Sequence, residues 1–251
     1  YTVVADDGNQ LVAASHAAWH HGDRVAESHW AIEAAIHPSV RRTGIWAEIV
    51  RHIVATIPAG DRHVVWGWNA AIELIARDLG YAPARRLSVM ERTLPPDRGV
   101  ALPPGIDVAS FVVGRDESAW LETNNAAFVG HLENGGLTRD DLRERMSLPW
   151  FRADDILMAW SGDRLAGSCW TKRHPDAVGE IYVIGVHPDF QGSGLGRELV
   201  LAGLHHLATA AEARTGMLYV DQEAAGAMHL YRELGFQQVW VTTMYAPGDG
   251  D

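Results

Sequence analysis

The spacing of apolar residues changes repeatedly along the second half of the chain, and each change predicts an element. Residues 115–128 carry a helical pattern, and Thr138 followed by Asp141 predicts a capped helix start. Residues 156–160 and 165–171 are apolar segments separated by Ser161-Gly162-Asp163-Arg164, the signature of a hairpin. Residues 181–186 form a short apolar run suited to a buried strand. From Gly194 to Ala211 the period returns to that of a helix, with Leu195, Leu199, Ala202 and His206 on one face. A strand at 217–220, a helix at 226–234 and a last strand at 239–244 complete the pattern. This alternation predicts a mixed α/β (α+β) fold.

The halves repeat one another. His37-Pro38 is followed by Arg41-Arg42-Thr43-Gly44-Ile45-Trp46, and His187-Pro188 by Gln191-Gly192-Ser193-Gly194-Leu195-Gly196, an offset of 150 (187 − 37). Leu79-Gly80-Tyr81 answers Leu234-Gly235-Phe236 at an offset of 155 (234 − 79). Two segments in the same order at similar spacing predict a duplicated domain. Between them, Pro95-Pro96-Asp97-Arg98-Gly99 and Pro103-Pro104-Gly105 interrupt any helix or central strand. The expected organisation is a domain over 1–95, a linker over 96–105 and a second domain over 106–251. The first is short at its start, which reads as a reduced or cut copy.

Composition narrows the partners. Of 251 residues, 47% are hydrophobic and 21% charged, as in a soluble globular protein. A formal net charge of −11 argues against nucleic acid or an anionic membrane as a general partner. The one cysteine, Cys169, precludes an intrachain disulfide and a zinc–thiolate cluster. No apolar run approaches the ~20 residues that cross a bilayer, and residues 1–10 lack a signal-peptide pattern. A cytoplasmic location is the default expectation, and a monomer is compatible with it. The chain opens on Tyr1 rather than Met, so trimming with loss of a leader stays open.

Chemistry concentrates between Glu180 and Arg197. A buried strand, Glu180-Ile-Tyr-Val-Ile-Gly-Val186, runs into a loop with Gly192, Gly194 and Gly196 that opens a helix. Helix N-termini carry unpaired N–H groups and positive partial charge, and glycine lets a pyrophosphate approach the backbone. Taken alone, this is equally a Gly-rich strand-to-helix turn. No Gly-Lys-Ser/Thr follows, which excludes a Walker loop, and the alternating glycines do not fit Gly-x-Gly-x-x-Gly. The pattern Gln/Arg-x-x-Gly-x-Gly/Ala, here Gln191 to Gly196, followed by Leu230-Tyr231-Arg232-Glu233-Leu234-Gly235-Phe236, resembles the acetyl-CoA site of GNAT acetyltransferases. Further segments are similar to the mycothiol synthase family of tandem GNAT enzymes. They include Asn124-Asn125-Ala-Ala-Phe128, His131-Leu-Glu133-Asn-Gly135, Trp150-Phe151, Trp170-Thr171-Lys172-Arg-His174-Pro175 and Leu218-Tyr219-Val220. The resemblance spans most of residues 120–245 and weakens in the first half.

The resemblance implies acetyl-CoA as co-substrate, no metal, and a small amine as acceptor: the cysteinyl amine of cysteinyl-glucosaminyl-inositol, attacked directly in a ternary complex. It implies cofactor contacts from Ile184, Gly185, Val186, Gln191, Gly192, Ser193, Gly194, Leu195, Gly196, Arg197, Ala224 and Ala227. The backbone of 184–186 can serve the pantetheine arm only if its edge splays from the next strand. Glu180 is the candidate base, since desolvation at a buried strand raises a carboxyl pKa. Tyr231 is the candidate acid toward the CoA sulfur. Without the motif, Glu180 reads as a strand-edge ion-pair partner and Tyr231 as a core tyrosine. The resemblance also puts Glu133, Lys172, Tyr219 and Glu180 at the acceptor. The first three are equally a loop Glu, a hairpin-end Lys and a core Tyr. Departures are Ala224 at a position usually amide-bearing, worth roughly 0.5–1.5 kcal/mol of hydrogen bonding, and Leu132 and Asn134 in the acceptor loop. Two other readings stay open: a GNAT enzyme for another small amine, such as an aminoglycoside or amino acid, and a non-catalytic acyl-CoA-binding regulator.

The repeat offsets set Trp46 opposite Gly196, Trp30 opposite Glu180 and Ala76 opposite Tyr231. A non-catalytic first domain follows, with the Trp46 indole expected to crowd the loop. His20-His21 and His205-His206 are not chelating pairs, because neighbours on a helix point ~100° apart. Cys169 reads as a packed apolar residue rather than a nucleophile.

Overall fold

The computed structural model describes residues 1–20, 28–40, 43–68, 70–131 and 134–248. The described chain forms two compact units. The first comprises Tyr1–Ser88, Asp221–Glu223 and Trp240–Asp251, and the second Val89–Val220 and Ala224–Val239.

In the first unit, β1 (Thr2–Asp6), β2 (Leu11–His20) and β3 (His29–Ile36) are antiparallel neighbours, and β4 (His63–Gly67) lies parallel to β3. Between them runs α1 (Ile45–Val54), and α2 (Ala70–Asp78) follows β4. The helix α1 buries Trp46, Ile49, Val50 and Ile53 against Ile32 and Val65. β5 (Tyr81–Thr93) begins in this unit and ends in the second.

The second unit continues with β6 (Asp107–Ser110), α3 (Glu117–Ala127), α4 (Arg139–Ser147), β7 (Ile156–Ser161), β8 (Arg164–Arg173) and β9 (Val178–Val186). Then come α5 (Leu195–Ala210), β10 (Thr215–Asp221), α6 (Ala225–Glu233) and β11 (Gln237–Pro247). The strands β6 to β9 are antiparallel neighbours, and β10 joins β9 in parallel. The sheet is mixed, as the alternating pattern predicts. The cap predicted at Thr138 is a full capping box: Thr138 N–H donates to Asp141 Oδ2 at 2.8 Å, and Asp141 N–H to Thr138 Oγ1 at 3.2 Å.

Two apolar layers cover this sheet. On one face α5 lays Leu195, Leu199, Leu204 and Leu207 onto Cys169 and Ile181. Each such leucine contributes roughly 1.5–3 kcal/mol by leaving water. Gly203 permits the approach, because a Cβ there would stand 2.6 Å from Cys169 Sγ and 2.8 Å from Ile181 Cδ1. On the other face α3 and α4 cover Trp120, Trp170, Ile156 and Met158, with the Trp120 and Trp170 rings edge-to-face at 5.5 Å. The Pro-rich linker is fastened to α5: buried Glu198 accepts hydrogen bonds from Arg98 Nη2 and the Ala101 amide.

Candidate active site

The site begins with a fault in strand pairing. β9 pairs with β8 from Val186 to Gly179, but Trp170 faces Val183 while Thr171 faces Ile181, so Tyr182 is an extra residue. This bulge bends the strand and disrupts its ladder. On the opposite edge, pairing with β10 covers only Val178–Thr215, Gly179–Gly216 and Glu180–Met217. Beyond Glu180 the two strands part, and Ile184, Gly185 and Val186 lie along the open stretch of β9. The splay that pantetheine binding requires is therefore present. Gly185 has no room for a side chain, since a Cβ would meet Ala127 Cβ at 3.1 Å and Phe128 Cε2 at 3.2 Å.

At the end of β9 the chain passes through the glycine loop into α5. Gly192 (φ 76) and Gly194 (φ 85) hold left-handed backbone, and nothing stands within 4 Å of where their Cβ atoms would be. Gly194, the N-cap of α5, has no side chain to offer, and Leu195 N–H donates to Ser193 Oγ at 3.4 Å. The loop is braced from within: Gln191 Nε2 donates to Val186 O at 3.1 Å, and Ser193 Oγ to Phe190 O at 2.6 Å. An open helix start with glycine backbone fits a pyrophosphate. The Leu195 side chain is buried in the core, and the Gly196 position faces Val186 at 3.6 Å. Arg197 is paired with Glu233 of α6. Ala224 is the N-cap of α6 and provides no side-chain bond there, and Ala227 packs against the α5-side core.

Glu180 lies where the strands part, on the α3/α4 face. Its side chain is 8% exposed, and Oε2 stands 2.6 Å from His174 Nε2. Lys172 is its cross-strand neighbour, and Nζ sits 4.7 Å above the Trp150 ring and 5.4 Å from that of Tyr182. Contacts of this kind hold an ammonium group by the ring quadrupole. Tyr219, two residues beyond Met217 on β10, is 48% exposed. Glu133 lies outside the described residues. The loop beside it is clamped by α3: Asn124 Nδ2 donates to Asn134 O at 2.6 Å, Asn125 Nδ2 to Leu137 O at 2.9 Å, and Leu137 N–H to Asn125 Oδ1 at 2.9 Å. Both asparagines thus have partners.

Tyr231 lies in the α5-side core, 8% exposed, with Phe236 edge-on at 5.8 Å. Burial pushes its hydroxyl up to about 12, with a smaller contribution from nearby Cys169. The phenol keeps its proton at every physiological pH. Burial likewise pushes the Cys169 thiol up to about 12, which leaves it without thiolate character. Glu180 and Tyr231 therefore occupy opposite faces of one sheet, on either side of the β9–β10 opening. His174 is the residue that single-residue reasoning passes over. No pattern in the sequence marks the contact, which is made when the turn at 175–177 folds β8 back onto β9.

The first unit carries the same elements differently. Its β3–β4 pairing runs from Trp30–His63 to Ile32–Val65, two positions deeper than in the second unit when Trp30 is set against Glu180. Trp30 donates Nε1–H to Asp61 at 3.0 Å and packs on Trp19 and Tyr1. Trp46 does not crowd the loop as expected; it turns inward and is 2% exposed, because α1 needs a large apolar residue against β3. Ala76 is buried on α2. Among the described residues no group of His, Cys, Asp and Glu could hold a metal ion, and no helix is long and apolar enough to cross a membrane.

Residues 119–236 match the acetyltransferase (GNAT) family model. The fold is similar to a GCN5-related N-acetyltransferase from Sphaerobacter thermophilus, with TM-score 0.72 at 21% identity over 97% of this chain and 79% of that one. It is also similar to a tandem GNAT protein from the clavulanic acid biosynthesis pathway, with TM-score 0.68 at 16% identity over 100% and 85%. The protein is a GNAT acetyltransferase, a class that uses acetyl-CoA. The mycothiol acetyltransferase of Thermomonospora curvata is 41% identical over 85% of this chain and 72% of its own length. That of Kocuria rhizophila is 37% identical over 97% and 83%. The chain belongs to the mycothiol acetyltransferase family.

Proposed function

We propose that this enzyme transfers the acetyl group of acetyl-CoA to the cysteinyl amine of cysteinyl-glucosaminyl-inositol, forming mycothiol, by direct attack in a ternary complex. The observation that carries the reading is the β9–β10 opening with Glu180 on one face and Tyr231 on the other. Acetyl-CoA supplies the activated acyl group. The glycine loop and the start of α5 hold its pyrophosphate, and the free edge of Ile184–Val186 holds the pantetheine arm. Glu180 takes one proton from the acceptor ammonium, so that the amine can attack. Tyr231 offers its hydroxyl hydrogen to the departing sulfur. A phenol near 12 facing a thiol near ~8.5 is a hydrogen-bond donor first, because full transfer runs uphill by roughly three pK units. Lys172, Tyr219 and Glu133 recognise the acceptor. The first unit is a non-catalytic partner in the chain: its strand opening is shallower, and Trp30 and Ala76 stand where the second unit has Glu180 and Tyr231.

Mass spectrometry of products tests this, with acetyl-CoA and cysteinyl-glucosaminyl-inositol beside a panel of other amines. Mass detection is needed because the acceptor carries its own thiol. An acetylated cysteinyl product is expected. Turnover of another amine alone would keep the acetyltransferase and remove the mycothiol assignment. No turnover with any acceptor would favour an acyl-CoA-binding protein.

A further inference from the structure

Glu180 reaches its place with one hydrogen-bond partner among the described residues, His174. The carboxylate is buried, with 8% side-chain exposure, whereas the imidazole is 30% exposed. A lone surface pair of this kind contributes little, but a buried carboxylate with one donor is governed by that donor. The second oxygen, Oε1, has no partner among the described residues and is not sealed off. It is the atom left for the acceptor.

The backbone is strained where it delivers His174. Asp176 (φ 61) and Ala177 (φ 59) are consecutive non-glycine residues in left-handed conformation. Such strain persists only where surrounding structure holds it. Here His174 N–H donates to Val178 O at 2.9 Å, and Ala177 O accepts from the Arg214 and Thr215 amides at 2.8 and 3.3 Å. The turn is thus tied to the start of β10, the strand that parts from β9 just beyond Glu180.

We propose that His174 is the positioning residue of the catalytic base: its Nε2–H donates to Glu180 Oε2 and fixes the carboxylate rotamer, so that Oε1 faces the acceptor ammonium. This rests on the reading of Glu180 as the base. In the step, one ammonium N–H bond breaks, an Oε1–H bond forms on Glu180, and that proton leaves to water after acetyl transfer. His174 changes no bond. Among the described residues, Lys172 of β8, Tyr182 of β9 and Tyr219 of β10 share this face with the pair, and Asp176 lies in the turn. The covering helices bring Glu122 and Glu144, both exposed, and Arg145, which holds Asn134. Arg173 points to the opposite face, toward Asp155.

The test is the titration of the Glu180 carboxyl by carbon-13 NMR in otherwise native protein, with the resonance assigned through Glu180→Gln. Donation to a carboxylate favours its charged form. Loss of the donor in His174→Ala is therefore expected to move the Glu180 titration to higher pH. His174→Gln, which keeps an N–H at similar reach, restores part of the shift and controls for damage to the turn. The acid limb of kcat/KM moves the same way, to higher pH in His174→Ala and back in His174→Gln. A Glu180 titration unchanged by His174→Ala would overturn the proposal, as would a uniform loss of kcat/KM with an unmoved acid limb. The titration needs no acceptor, so it decides the role of His174 even if the proposed acceptor proves wrong.

Discussion

Two side chains divide the proton chemistry. Glu180→Gln removes the carboxylate proposed as the base and is expected to lower kcat by ~10²–10⁴-fold at neutral pH. Tyr231→Phe removes one hydroxyl while its ring stays against Phe236, so kcat falls with acetyl-CoA affinity little changed. Steady-state kinetics with calorimetric Kd checks both, and an unchanged kcat in either rejects its role. Because the Tyr231 hydroxyl sits near 12, a basic limb below about pH 10 has another source. Asp155 illustrates a different use of charge. It is 1% exposed and takes Arg173 Nη2 at 2.6 Å and His206 Nε2 at 2.8 Å. Burial would raise its carboxyl, but the hydrogen bonds from His206 and Arg173 outweigh that and leave it lowered. A carboxyl depressed by folding stabilises above its unfolded value, near ~3.9, and loses that contribution as pH falls through the folded one. Asp155→Asn is expected to cost about 3 kcal/mol at pH 7 and to flatten the stability–pH curve below about pH 4. Urea unfolding across pH measures both, and unchanged stability at pH 7 would rule out a structural role for the cluster.

At the scale of elements, the site depends on α5 lying close against the sheet, since the same helix supplies the phosphate-facing N-terminus and the apolar floor. Gly203 sets that distance. Gly203→Ala forces a Cβ into Cys169 and Ile181 and is expected to destabilise by roughly 1–3 kcal/mol. A urea midpoint equal to the parent's would show that α5 shifts without cost. The hairpin, the capping box, α5 and α6 were all legible in the sequence, because each is decided by nearby residues. The bulge at Tyr182 was not. A bulge is a disagreement between the registers of two strands, and no single strand encodes it.

For the molecule as a whole, the two units are not consecutive along the chain. Residues 221–223 and 240–251 belong with the first unit, where β11 pairs Thr243, Met244 and Tyr245 with Gly67, Trp66 and Val65. Tyr245 is 2% exposed in that unit's core. A chain ended after Val239 loses this strand and a buried aromatic, worth about 3–5 kcal/mol. Faster hydrogen exchange at the β4 amides is expected, and full protection there would show that β11 is dispensable to the first unit.

The sequence by itself determined the α/β alternation, the internal repeat, the glycine loop and the two candidate groups. Those follow from hydrophobic period and residue type, which are local. It pointed to an indole crowding the loop of the first unit, where α1 instead turns Trp46 into its core. Tertiary structure alone decided that pairing of β9 and β10 stops at Glu180, that Tyr231 and Glu180 lie on opposite faces of the opening, and that His174 meets Glu180. Each of these depends on where separate strands and helices end up in space, and strand register and layer packing are settled only when the whole sheet is assembled.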